Sequence, residues 1–415
     1  MEIVLTISGI VGLVVGLAAL AELIWKPFRR LVLRRETDIE RVEAKVGQMQ
    51  ETVEEIKEYF NHYFGVPEDS SRKLVESLPA DREQSLRAAI QAQREERYPD
   101  AVRHLKDCIY PDMPSAARAS IHNLIGNSLL RQGLAPDAEP EYLEALEAAR
   151  EAKDRQAQAK VLGNLGFLYH QQGDLTRAEQ HLKQALDIQQ DIGDRLGQAN
   201  ALGNLGLVYR LRGDLERAEQ HHKEALDTHR TLRNRASEAH DLGNLGLIYA
   251  ARRDLDRAEH YHRNALDIHR QMGNLLGEAN QLGNLGNVYR QRGDLDRAEQ
   301  HYKEALEIDR RIGDRLGQAN QLGNLGIVYA HRGDLDRAEQ HLKQALELQQ
   351  QIGDRLGQAN QLGNLGLLAE KRAQLSQAEN LLRQSLAIFD QVGAGGQGPD
   401  NVRRALARIE ELKRQ

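Results

Sequence analysis

Asn164, Asn204, Asn244, Asn284, Asn324 and Asn364 stand at an unvarying spacing of forty residues. A side-chain amide offers both a donor and an acceptor, so a row of them can pair with a polypeptide backbone whatever side chains it carries. That is recognition chemistry and needs no reacting group. The groups that would carry a reaction are poorly arranged. His181, His221, His301 and His341 recur only because the string around them recurs. His222 and His229, and likewise His262 and His269, lie seven apart with no cysteine to join them, so no metal is expected. Residues 393–398, Gly-Ala-Gly-Gly-Gln-Gly, fit a dinucleotide-loop pattern but follow a helical stretch with no βαβ unit around it. The repeated Gly-Asn-Leu-Gly strings lack the Gly-Lys-Ser/Thr of a phosphate loop. We therefore expect no enzyme and no cofactor.

These asparagines belong to the string Leu-Gly-Asn-Leu-Gly, which begins at Leu162, Leu202, Leu242, Leu282, Leu322 and Leu362. A fixed period of this length signals a solenoid, whose units bury their apolar faces only against their neighbours. Of the 415 residues, 28% are charged and the net charge is only -6, so no global field favours nucleic acid. Aromatic content of 4% is low for binders that stack bases. The single cysteine, Cys108, precludes an internal disulfide framework, suits a reducing compartment and reads as a small buried side chain.

Punctuation within the repeat falls every twenty residues. Gly173-Asp174, Gly193-Asp194, Gly213-Asp214, Gly293-Asp294, Gly313-Asp314, Gly333-Asp334 and Gly353-Asp354 each close one helix in the left-handed conformation and cap the next. Gly273-Asn274 is a close variant, while Arg233-Asn234 and Arg253-Asp254 keep only the capping residue. Each unit is thus two antiparallel helices of about eighteen residues. Helical spacing places Leu202, Leu205, Gly206 and Tyr209 on one face, opposite Ala218, His222, Ala225 and Leu226 of the second helix. The recurring mid-helix glycine (Gly166, Gly206, Gly246, Gly286, Gly326, Gly366) predicts close approach of that helix onto the small alanines.

Ahead of the repeats, residues 3–21 carry no charge. Nineteen helical residues reach about 28 Å, close to a hydrocarbon core of about 30 Å. Trp25 and then Lys26, Arg29, Arg30, Arg34 and Arg35 follow, which reads as a retained anchor with the rest of the chain in the cytoplasm. Ser8, Gly12 and Gly16 form a small-residue stripe that could pair two such helices. Apolar residues then step by three and four through Ile39, Val42, Val46, Met49, Val53, Ile56, Phe60 and Tyr63, the seam of a short coiled coil and a possible homodimer stalk. The same stripe could instead lie on the membrane or pack on the solenoid. Expected boundaries are an anchor at 1–25, basic flank and stalk at 26–64, linker at 65–84, solenoid at 85–392, and a Gly-rich linker with a capping helix at 393–415.

In the unit beginning at Leu282, Leu285-Gly286, Tyr289, Ala298, Tyr302 and Ala305 resemble the tetratricopeptide repeat. The forty-residue form is similar to the Leu-Gly-Asn repeat proteins that orient mitotic spindles and, more loosely, to kinesin light chain. The likeness covers residues 120–392 well, and a degenerate unit at 85–109 extends it through Tyr98, Ala101, Leu105 and Cys108. It implies an all-α superhelical solenoid of antiparallel helix pairs, about eight units with the first two degenerate, whose first helices line a concave groove. Asn200, Gly203, Asn204, Leu207, Arg210 and Leu211 share one helical stripe, which the resemblance turns toward a bound partner.

The resemblance further implies that the asparagine row grips an extended peptide, with Gly203, Gly283 and Gly323 letting it come close. Selectivity then rests on groove positions that vary: Phe167, Leu207, Leu247, Asn287, Ile327 and Leu367 in one series, His170, Arg210, Ala250, Arg290, Ala330 and Glu370 in another. Arg210 and Arg290 favour an acidic peptide through forked carboxylate pairing. The spindle proteins often carry a second asparagine three residues on, which here only Asn287 supplies, and the chain has no tail to serve as their G-protein-binding motif. The groove carries over and the spindle role does not. Residues 315–326 and 355–366 are identical, so recent duplication also accounts for the row, and an asparagine could simply bridge adjacent repeats. The expected function is a bacterial plasma-membrane adaptor that binds a protein partner. A self-assembling solenoid, a peptide sensor working with a separate effector, and an organelle import receptor are the competing readings.

Overall fold

The computed structural model describes residues 79–414. The expected anchor and stalk at 1–25 and 26–64 lie outside the described residues, and no described helix is long and apolar enough to cross a membrane. Seventeen helices and no strand make up the described chain, so it is all-α. It divides into two units, Met1–Asp154 and Arg155–Gln415.

The described part of the first unit holds α1 (Ala80–Arg94), α2 (Tyr98–Asp107), α3 (Ser115–Arg131) and α4 (Ala135–Glu151), each packed on the next. Helix α1 begins inside the stretch expected to be linker: Pro79 precedes it, and Leu86, Ala89 and Ile90 are buried on its inner face. Cys108 is fully buried and its thiol donates to the carbonyl of His104. Burial, with help from Asp107, pushes that thiol up to about 12, so it is an inert packing residue.

The second unit runs α5 (Arg155–Gln171), α6 (Leu175–Asp191), α7 (Arg195–Leu211), α8 (Leu215–Thr231), α9 (Arg235–Ala251), α10 (Leu255–Gln271) and α11 (Leu275–Arg292). It continues with α12 (Leu295–Ile312), α13 (Arg315–Arg332), α14 (Leu335–Gln351), α15 (Arg355–Lys371), α16 (Leu375–Gln391) and α17 (Gln397–Arg414). Turn chemistry sets these lengths. Gly293 and Gly313 sit at φ 84° and 75°, and Asp314 accepts from the Gly317 amide at 2.9 Å to open the next helix. Arg233 and Arg253 adopt the same left-handed conformation without being glycine, at φ 55° and 61°.

The mid-helix glycines approach the alanines as expected from the sequence, a Cβ on Gly166, Gly326 or Gly366 lying 3.3, 3.2 or 3.4 Å from the carbonyl oxygen of Ala178, Ala338 or Ala378, but a large side chain of the partner helix comes closer still. A Cβ on Gly206 would lie 2.6 Å from the His222 ring, on Gly286 2.6 Å from Tyr302, and on Gly326 2.7 Å from Leu342. Glycine is required because one large side chain of the partner helix lies flat across it. The alanines (Ala178, Ala218, Ala258, Ala298, Ala338, Ala378) are fully buried.

A second device joins each helix pair to the next. Glu219 of α8 accepts the Tyr249 hydroxyl of α9 at 2.5 Å and is paired with Arg252 of that helix and Lys223 of its own. Glu179 with Tyr209 and Arg212, Glu259 with Tyr289 and Arg292, and Glu299 with Tyr329 and Arg332 repeat the arrangement. Partial burial pulls these carboxyls upward, but the hydrogen bonds outweigh it and hold Glu179, Glu219, Glu259 and Glu299 at about 2. The recurring histidines serve the same joints: His221, His301 and His341 stack on Tyr209, Tyr289 and Tyr329 at 5.2–5.3 Å.

Candidate functional site

The first helices of successive pairs carry the asparagines. Asn280, Asn284, Asn320, Asn324, Asn360 and Asn364 of α11, α13 and α15 line one open cleft of about 480 Å³, with Asn287, Gly283, Gly323, Gln321, Gln361 and Ile327. No charged residue lines it. Asn280, Asn284, Asn320, Asn324 and Asn360 make no side-chain hydrogen bond among the described residues, whereas the Asn364 amide donates to Gln361 at 3.4 Å. A second cleft, of about 460 Å³, is lined by Asn200, Gly203 and Asn204 of α7, His229 of α8, and Ala236, Ser237, His240 and Asp241 of α9. Asn204 therefore borders this cleft, and Asn164 stands half-buried on α5.

Asn244 and Asn287 are also engaged within the fold. Asn244 is only 7% exposed, and its amide donates to the carbonyl of His240 on its own helix at 3.0 Å. Asn287 accepts the Tyr302 hydroxyl at 2.8 Å and Arg290 Nη2 at 3.3 Å, so its carbonyl oxygen is already taken. Arg290 is held half-buried by that bond. Arg210 is also half-buried, but its Nε has no partner, and burial lowers it. Lys160 takes the place in α5 that Asn200 holds in α7, and burial pulls its unpartnered ammonium down to about 7.

The groove glycines face a neighbour within the wall. A Cβ on Gly283 would lie 3.0 Å from the Gln321 amide nitrogen, one on Gly323 2.7 Å from that of Gln361, and one on Gly203 3.3 Å from Asp241 Oδ1. They admit the polar side chain of the next first helix, and they border the clefts as well.

Sequence reading missed a polar chain behind the second cleft. Asp241, 1% exposed, accepts from both His222 Nδ1 at 3.0 Å and His229 Nδ1 at 2.7 Å, and His229 Nε2 reaches Asn200 Oδ1 at 3.2 Å. Burial raises the Asp241 carboxyl, but the two rings outweigh it, and the net direction is downward. The signal was in the repeat: Gln281, Gln321 and Gln361 occupy the equivalent position, and only Asp241 is charged. One unit further on, His262 bonds neutral Gln281 at 2.9 Å, and burial pushes its ring down to about 4. No serine or cysteine is bonded to these rings, and no described group of histidines, cysteines and carboxylates could hold a metal ion.

The tetratricopeptide repeat model matches residues 117–191, 157–231, 236–311 and 317–391, more than half of the chain. The chain belongs to the tetratricopeptide repeat family. A comparison with curated proteins finds no significant match. Among solved structures, this tetratricopeptide chain is similar to aspartyl phosphate phosphatase F from Bacillus subtilis, with TM-score 0.58 and 12% identity over 83% of this chain and 96% of that one. The apo form of RapI matches at TM-score 0.57 and 15% identity, covering 67% and 99%. A Rap protein complexed with Competence and Sporulation Factor matches at TM-score 0.54 and 17% identity, covering 83% and 98%. At these identities the likeness is one of fold.

Proposed function

We propose that this tetratricopeptide protein is a scaffold that binds a protein partner through an extended segment laid along its first-helix groove. One observation carries the reading: a charge-free cleft where five asparagines keep their amides unpaired and open to solvent. Unpaired amides arrayed along a groove match the alternating donors and acceptors of an extended backbone. A Rap protein of similar fold is complexed with Competence and Sporulation Factor, which supports a bound partner here. Arg290 beside the cleft and Arg210 further along favour an acidic segment. Residues 1–25 would tether the scaffold to a bacterial plasma membrane with the solenoid in the cytoplasm, and residues 39–63 would supply a dimeric stalk.

The full-length chain, wild type against Asn204→Ala, Asn284→Ala and Asn324→Ala combined, tests this by partner capture and quantitative proteomics. The triple variant is expected to lose at least one partner by about tenfold or more, since each unmade pairing is worth roughly 1 kcal/mol. Equal recovery of every partner would sink the amide reading. In the same cells the wild-type chain should pellet with membranes and resist carbonate extraction; release by carbonate removes the anchor.

A further inference from the structure

His170 lies in the last turn of α5 and Arg210 in that of α7, at the same position of consecutive repeats. Both are half-buried. Neither Nδ1 nor Nε2 of His170 has a hydrogen-bond partner, and neither does Arg210 Nε. Phe167, itself 37% exposed, lies beside the His170 ring with centroids 6.2 Å apart and planes 15° from parallel. Burial and the nearby Arg210 guanidinium lower His170, and no carboxylate acts on either group.

Among the described half-buried arginines Arg210 stands apart, although Lys160 is a second unpartnered cation. Arg212, Arg252, Arg292, Arg332 and Arg372 each hold a glutamate of the preceding helix. Arg290, the counterpart of Arg210 two repeats on, reaches the oxygens of Asn287 and Tyr302. The residues equivalent to those two are Leu207 and His222, and Leu207 offers no oxygen. The Arg210 Nε is thus withdrawn from water without the acceptor that normally offsets such burial. A well-packed apolar side chain would serve a purely structural purpose better.

We infer that His170 and Arg210 form a binding site for one oxyanion, a carboxylate or a phosphate, presented by the segment in the groove. The inference rests on the groove reading and names the chemistry of one anchor within it. The guanidinium supplies a forked pair of donors, and the imidazole, held by Phe167, supplies a further N–H to the same group.

Melting of the full-length chain in phosphate, in glutarate and in chloride at matched ionic strength tests the site. Saturating oxyanion should raise the wild-type melting temperature by about 2–4 °C over chloride. Arg210→Met should abolish that rise, and His170→Gln should reduce it. In chloride alone, Arg210→Met should melt above wild type, because it removes a half-buried cation with an unpartnered Nε; an arginine kept for packing would give the opposite. A response to phosphate alone assigns a phosphorylated segment, and a response to glutarate as well assigns an acidic one. No response to either anion, an equal response in Arg210→Met, or a lower melting point of Arg210→Met in chloride overturns the site. The asparagine triple variant should keep the anion response. Partner loss in that variant with an anion response independent of Arg210 leaves the groove standing without this anchor. An Arg210-dependent response with unchanged partner capture leaves the anchor and removes the amide reading.

Discussion

At the scale of single residues, one repeat position shows how the copies diverged. Gln189, His229, His269, Asp309 and Gln349 are equivalent, yet their environments differ. Asp309 is 1% exposed, and its Oδ2 has no partner. Burial and the neighbouring Asp314 push its carboxyl up to about 6. A folded-state value raised above the ordinary 3.8 means the native protein binds the proton more tightly. Its contribution to stability is therefore whole below about pH 4 and is lost as pH rises through about 6. Asp309→Asn is expected to stabilise the chain at pH 7 by on the order of 1–2 kcal/mol and to do little at pH 4. Thermal melts at the two values check this, and a destabilised variant at pH 7 would refute it. The asparagine period and its hydrogen-bonding capacity were legible in the sequence. That Asn244 turns back onto His240 and Asn287 is engaged by Tyr302 was not, because both depend on which side chain sits across a helix interface.

At the scale of elements, the Gly-Asp punctuation marked the turns, since the left-handed turn and the capped amide are local demands of the backbone. Where glycine is missing the conformation persists, so packing on either side imposes it on Arg233 and Arg253. Arg253→Gly should relieve about 1 kcal/mol of left-handed strain and raise the melting temperature. The same change at exposed Arg311, inside α12, should lower it by a similar free energy. Equal shifts of the two variants would show that the turn stores no strain. The mid-helix glycines were legible as close approach onto the alanines, but the large side chains that press on them were not. A periodic sequence shows that something large must fit against Gly286 without revealing that Tyr302 does so.

At the scale of the whole molecule, the stability of stacked helix pairs depends on nearest-neighbour interfaces. Glu179, Glu219, Glu259 and Glu299 each tie one pair to the next, with carboxyls held at about 2 against an ordinary 4.5. A depressed folded-state value contributes stability that is present above about pH 4.5 and lost as pH falls toward 2. Because these carboxylates are partly solvated, each contribution is about 1 kcal/mol or less. Changing all four to glutamine should broaden thermal unfolding at pH 7 and lower its midpoint, with the difference from wild type vanishing near pH 2. An unchanged transition at pH 7 would assign the coupling to the apolar core alone. The sequence by itself determined the helical period, the turns, the repeat and hence the solenoid, because these follow from backbone conformation and from apolar faces that recur in register. Only the tertiary structure decided which polar groups are spent and which are left over. Identical letters in successive repeats meet different neighbours, and the partner across each interface leaves Arg290 bonded and Arg210 bare.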